Sequence, residues 1–236
     1  MKVVFNILFV GNSFIYTGDV PKQLSNIAKM YGITITYDTI APAGSTLNNT
    51  MDRAIEKIRN NSYDYVVLQD YGGRQMDDLS GFNSDIQKLC EEIYKANALA
   101  VLYNPAWCNI NSERPDKTAQ VELTIPYEIA AETYGAILVN AADAWVYAYD
   151  KHPELSLYYM NDYHPNDEGA YLTACVFAST LFELHVKDIS EQNIYHGDDA
   201  ILLGQAAWEF VTYYNEHHEL PVGIITVPDG LNVCIS

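Results

Sequence analysis

The sequence predicts an α/β protein: a three-layer α/β/α sandwich on a parallel sheet of about five strands. Three observations predict it. Apolar runs of strand length alternate with segments of helical periodicity about five times along the chain, the pattern of successive βα units feeding one sheet. The first run, residues 3–10, is apolar except at Asn6 instead of alternating with polar residues, as a strand covered on both faces requires. With 236 residues, 49% of them hydrophobic, the chain can bury a full core within one domain.

The elements follow in order. After the strand at 3–10, residues 21–31 read as a helix: Pro21 suits its first turn, Leu24, Ile27 and Ala28 share a face, and Gly32 ends it. Residues 33–40 alternate as a second strand. Helical spacing returns at 50–59 through Met51, Ala54, Ile55 and Ile58, and "YDYVVLQ" at 63–69 is a third strand running into the turn-rich "DYGGRQ". A helix over 84–96 turns Ile86, Leu89 and Ile93 inward. The fourth strand is 99–103, followed by the loop "NPAWCNINSERPD". A long helix over 118–134 is closed by Gly135, and 136–140 is a short fifth strand. The segment from His164 opens with a proline and acidic residues and then runs helically to Leu184; acidic side chains there complement the positive end of the helix dipole. A further helix at 198–214 and a strand-like "GIITVPDGLNVCIS" complete the chain. They are expected to pack on the same sheet, so that residues 1–236 form one domain with a core of about 3–185 and an extension over 190–236.

Acidic residues outnumber basic ones 31 to 13, a net charge of −18. That field repels nucleic acid and anionic lipid, and it fits either neutral or cationic partners or, more simply, solubility. Cys90, Cys108, Cys175 and Cys234 are far apart with no C-x-x-C pair, so no zinc site, metal or other cofactor is expected, and reduced thiols of a cytoplasmic protein fit. The N-terminal apolar run lacks the cleavage site of a leader and reads as a core strand; removal of a leader from the natural chain would instead make the protein secreted. No apolar run reaches membrane-spanning length. Nothing in the sequence fixes an oligomeric state.

In an open parallel sheet, ligands bind beyond the carboxyl ends of the strands. Gly11-Asn12-Ser13, Ala43-Gly44-Ser45 and Gln69 to Gln75 fall at three such ends, and Asn161-Asp162-Tyr163-His164 needs only a loop to reach the same rim. Serine, histidine and carboxylate near one edge are the trio that nucleophilic acyl transfer needs: a hydroxyl, an imidazole to take its proton, and a group that orients the imidazole. Taken alone, Ser13 also suits the ordinary role of a helix N-cap, and His164 that of a loop residue.

The segments "FVGNSF" (9–14), "AGSTL" (43–47) and "DYHPNDEGAYL" (162–172) resemble the first, second and last blocks of the SGNH (GDSL-like) hydrolase superfamily. The resemblance spans about residues 3–184, and the G-x-S-x-G elbow of α/β-hydrolases is absent around Ser13. It implies a flavodoxin-like sandwich, Ser13 as nucleophile, His164 as general base, and the backbone N–H groups of Ser13 and Gly44 as oxyanion-hole donors. Two departures stand out. The family's third block presents an asparagine amide to the oxyanion; here the strand ends "LQDYGGRQ", leaving Gln69, or less directly Gln75, to supply it. The family's acid lies three residues before the histidine. Here that position is Asn161, and Asp162 is two before, so either residue, or neither, orients the ring.

Trp107 and Trp145 follow the fourth and fifth strands, and Tyr71, Tyr158, Tyr159 and Tyr163 flank the proposed site among 19 tyrosines. Tyr71, Tyr163 and Trp107 are candidate substrate contacts of the kind a sugar ring stacks on, although each aromatic also fits a core or surface role. The expected activity is a serine esterase that removes small acyl groups, acetyl above all, from a carbohydrate or related small molecule. The rivals are a lipase or thioesterase of the same fold and a catalytically silent carbohydrate-binding protein.

Overall fold

The apolar runs become strands whose alternate residues enter two separate cores. In the computed structural model, which describes residues 3–106, 117–186, 199–217, 223–226 and 232–235, the chain runs β1 (Val4–Val10), α1 (Ser13–Tyr16), α2 (Val20–Met30), β2 (Thr34–Ile40), α3 (Leu47–Asn60), β3 (Tyr65–Leu68), α4 (Arg74–Asp77), α5 (Leu79–Lys95), β4 (Leu99–Asn104), α6 (Lys117–Tyr134), β5 (Ile137–Asn140), α7 (Ala141–Lys151), α8 (Asp167–Phe182), α9 (Ala200–His217), β6 (Gly223–Thr226) and β7 (Asn232–Ile235). Ile7 and Phe9 of β1 pack with α2, α7, α8 and α9, whereas Leu8 and Val10 pack with α3, α5 and α6. All four are buried, as a strand between two helical layers must be.

The five strands β1–β5 pair in parallel in the order β2-β1-β3-β4-β5. This is the three-layer α/β/α sandwich with flavodoxin-like strand order that the sequence predicts. The chain winds outward on both sides of β1, so the order reverses between β1 and β3, and a crevice opens at their carboxyl ends. Both Gly11 and Gln69, the first residues past β1 and β3, continue the ladder: Gly11 N donates to Ile40 O and Gln69 N to Val10 O, each at 2.9 Å.

Several elements depart from the sequence expectation. Helix α3 starts three residues earlier than its apolar spacing suggests, because Thr46 and Asn49 form a capping box at its head. Helix α7 has no counterpart among the elements the sequence predicts. Asn140 ends β5 and caps α7 at once, its side chain accepting from Asp143 N, so no turn residues mark the boundary. At the C-terminal end α9 packs on the α7–α8 layer through Leu203, Ala207 and Phe210, while the described part of the last stretch forms a separate antiparallel pair, β6–β7, and adds no strand to the main sheet. Among the described residues no helix is long and apolar enough to cross a membrane.

Candidate active site

The loop after β1 is built for close packing under a turn. A Cβ on Gly11 would strike Gln69 Oε1 and lie 2.9 Å from the Gln69 carbonyl oxygen, so only glycine lets the two strand ends approach this closely. Asn12 does the work of the helix cap: its Oδ1 accepts from Phe14 N at 3.2 Å, satisfying a donor that α1 leaves free. The N-cap is therefore Asn12 and not Ser13, whose hydroxyl is left for other chemistry. Asn12 also donates through Nδ2 to Ser45 O at 3.0 Å, and Ser45 Oγ lies 2.9 Å from Gly11 O and 2.8 Å from Pro42 O. These bonds stitch the β1–α1 loop to the β2–α3 loop that carries Gly44.

The histidine arrives on the loop that precedes α8. Asn166 caps that helix, accepting from Gly169 N at 2.9 Å and donating back to Ser156 O at 2.7 Å, while an isolated bridge joins Tyr158 to Pro165. Asn161 adopts a left-handed conformation (φ 59°), a region asparagine tolerates, and the chain turns so that Asp162 and His164 face each other. His164 Nε2 lies 2.8 Å from Ser13 Oγ, and His164 Nδ1 lies 2.7 Å from Asp162 Oδ1, which also accepts from His164 N at 3.1 Å. With Nδ1–H donating to the carboxylate, the Nε2 lone pair faces the serine hydroxyl. Burial pushes the Asp162 carboxyl up, but the bonds from the His164 ring and backbone outweigh it and hold the group below the ordinary carboxylate range. Asp162, not Asn161, is the residue against the ring.

Gly44 is exposed at φ 62°, with nothing within 4 Å of where a Cβ would stand. Among the described residues the backbone N–H groups of Ser13 and Gly44 donate no hydrogen bond. The expectation for Gln69 needs correction. Its side chain is fully buried beneath the loop, with Oε1 accepting from Asn12 N at 3.0 Å and Nε2 bonded to the Asp70 carbonyl, so its amide is already engaged. Gln75 is buried as well and donates to Leu123 O.

Tyr163 is 36% exposed, its ring 4.5 Å from that of His164, and Tyr71 is 42% exposed just past β3. Tyr159 is exposed and Tyr158 buried. Trp145 is a core residue: it is buried, donates to Thr173 Oγ1 at 3.1 Å and packs against Tyr158 with the rings tilted at 56°. Trp107 lies outside the described residues. Reading the residues in sequence missed Asp70, whose buried carboxylate takes the N–H groups of Leu47 and Tyr71. The signal that marks it is an acidic residue two positions beyond a buried parallel strand.

No protein-family model matches the sequence, and no curated protein matches it either. Solved structures do. A DUF4886 family protein from Bacteroides uniformis superposes with a TM-score of 0.72 at 15% identity, covering 92% of this chain and 98% of its own. An acetylxylan esterase from Geobacillus stearothermophilus gives 0.62 at 16%, covering 77% and 97%. A protein proposed to be an SGNH hydrolase, from Slackia heliotrinireducens, gives 0.61 at 20%, covering 75% and 99%. The fold is that of the SGNH hydrolases.

Proposed function

We propose that this protein is a serine esterase that hydrolyses small acyl esters, acetyl esters of carbohydrates in particular. The observation that carries the proposal is the unbroken contact chain Ser13 Oγ–His164 Nε2 and His164 Nδ1–Asp162 Oδ1, at 2.8 and 2.7 Å. In this chemistry Ser13 Oγ attacks the ester carbonyl carbon while Nε2 takes its proton. The charge that develops on the carbonyl oxygen falls to the N–H groups of Ser13 and Gly44, a contribution worth about 10²–10³ in rate per donor. Collapse of the tetrahedral intermediate expels the alcohol, which takes the proton back from Nε2. Water then repeats the sequence on the acyl-serine, releasing the acid. Asp162 stabilises the imidazolium formed in each half-reaction.

The fold likeness to acetylxylan esterases supports the acetyl-carbohydrate reading. One structure of the Geobacillus enzyme is a catalytic mutant in which serine is replaced by alanine. The exposed rings of Tyr71 and Tyr163 are suited to stack on a sugar. Replacement of Ser13 by alanine tests the reading. The variant should fold normally and lose hydrolysis of p-nitrophenyl acetate and of acetylated xylo-oligosaccharides. Wild-type turnover by the variant rules Ser13 out as nucleophile.

A further inference from the structure

Two consecutive side chains past the end of β3 reach in different directions and grasp both loops of the site. Gln69 Oε1 accepts from Asn12 N at 3.0 Å, on the loop that presents Ser13. Asp70 Oδ1 accepts from Leu47 N at 3.2 Å, at the head of α3 where the Gly44 loop ends, and from Tyr71 N at 2.7 Å. Both residues are fully buried. Buried in this way, neither touches a substrate.

Asp70 is an odd residue for a merely structural position. Its second oxygen, Oδ2, is buried with no hydrogen-bond partner among the described residues, and burial pushes its carboxyl up to about 6. A buried, half-satisfied carboxylate costs stability. It gains from the N-terminus of α3, whose dipole favours an anion and whose first residue, Leu47, follows Gly44 by three residues and donates its N–H to the carboxylate. Behind it, Asn48 of α3 donates to Asp85, which lies 3.5 Å from Arg74, so the helix head is anchored from a second side.

We propose that Gln69 and Asp70 are positioning residues that hold the two oxyanion-donating loops in register, Gln69 through the Asn12 N–H and Asp70 through the Leu47 N–H. The inference rests on the serine-esterase reading. Its physical basis is that the Ser13 and Gly44 N–H groups act together on one oxygen only if the loops carrying them keep a fixed separation; a displacement of about 1 Å at a reacting centre costs about 10²-fold in rate.

The experiment compares Asp70→Ala, Asp70→Asn and Gln69→Met, with active sites counted by a fluorophosphonate titrant. Methionine keeps the bulk of Gln69 but cannot accept from Asn12, and asparagine keeps an acceptor where Oδ1 lies. Asp70→Ala and Gln69→Met should lower kcat for p-nitrophenyl acetate about 10²-fold with KM within threefold. They should weaken inhibition by phenylboronic acid, which forms a tetrahedral adduct on the serine, by a similar factor, and Asp70→Asn should recover most of both. A purely structural role would lower thermal stability and the count of active sites without changing kcat per titrated site. Folded Asp70→Ala with wild-type kcat and boronate affinity overturns the proposal, as does a rise in KM alone. Should Asp70→Ala not accumulate as folded protein, Gln69→Met decides by the same criteria. Wild-type protein that is inactive, or whose activity survives Ser13→Ala, overturns the esterase reading and this inference with it; a Ser13-dependent enzyme indifferent to both substitutions overturns only the inference.

Discussion

Replacement of Asp162 by asparagine is the sharpest perturbation of the proposed charge arrangement. It keeps the side-chain shape 2.7 Å from His164 Nδ1 and removes the negative charge that stabilises imidazolium. In a fully buried triad the same change costs about 10⁴ in kcat, because the amide also holds the imidazole in the wrong tautomer. Here the Asp162 side chain is 40% exposed and that of His164 20%, so solvent screens the pair. Two unit charges about 4 Å apart interact by about 4 kcal/mol at an effective dielectric near 20 and by about 1 kcal/mol in bulk water. These limits correspond to losses of about fivefold and about 10³-fold in kcat, and a value midway between them to a loss of about 10². Pre-steady-state release of p-nitrophenol, normalised to titrated active sites, measures the acylation step directly. Asn161→Ala, which removes no charge, should stay within a few-fold of wild type in rate. It should cost about 1 kcal/mol of stability, because alanine is poorly suited to the left-handed backbone at φ 59°. Asp162→Asn within tenfold of wild type, together with a large loss for Asn161→Ala, would refute the assignment of the orienting carboxylate.

Two further outcomes follow from the packing around the site. Gly11→Ala should abolish activity and lower the melting temperature, since its Cβ would press on the side chain and carbonyl of Gln69 and break the tie to Asn12; a variant with wild-type stability and kcat removes the argument from close approach. Asp70 also makes stability depend on pH. Burial raises its folded-state value to about 6, with Asp85 adding and Arg74 opposing, against about 3.9 in an unfolded chain. The folded protein therefore keeps a proton that the unfolded chain gives up between about pH 4 and 6, and the contribution of this group to stability falls across that window by about 3 kcal/mol. Urea denaturation of wild type and Asp70→Asn from pH 4 to 7 should show the difference between the two curves changing in this window and flattening above it; parallel curves would remove the claim.

Much of this arrangement is legible in the sequence because it rests on local patterns. The apolar run into Gly11 marks the end of β1, Pro21 and Gly32 bracket α2, and the spacing of Leu24, Ile27 and Ala28 identifies its buried face. Ser13 and His164 are legible as partners because strand ends of a parallel sheet share one rim. What stays hidden depends on three-dimensional approach. Whether Asp162 or Asn161 faces the ring turns on one left-handed residue, which residue types alone do not decide. Gln69 has the chemistry of an oxyanion donor, yet the tight packing over Gly11 buries it and engages its amide within the scaffold. Trp145 sits at a strand end by number, but α7 begins there without a turn and carries the ring into the core. Asp70 escapes notice because its partner, Leu47, is a backbone group of a different βα unit.

The central claim is that Ser13 is an activated nucleophile, and covalent labelling tests it most directly. The native protein is incubated with a fluorophosphonate ester, activity on p-nitrophenyl acetate is followed, and the modified residue is located by peptide mass spectrometry. The account predicts one phosphonyl group per chain, on Ser13, formed in step with the loss of activity and not formed when acid-denatured protein or Ser13→Ala is treated in the same way. Loss of activity with the label on a different residue, or full activity with no label at Ser13, would contradict it.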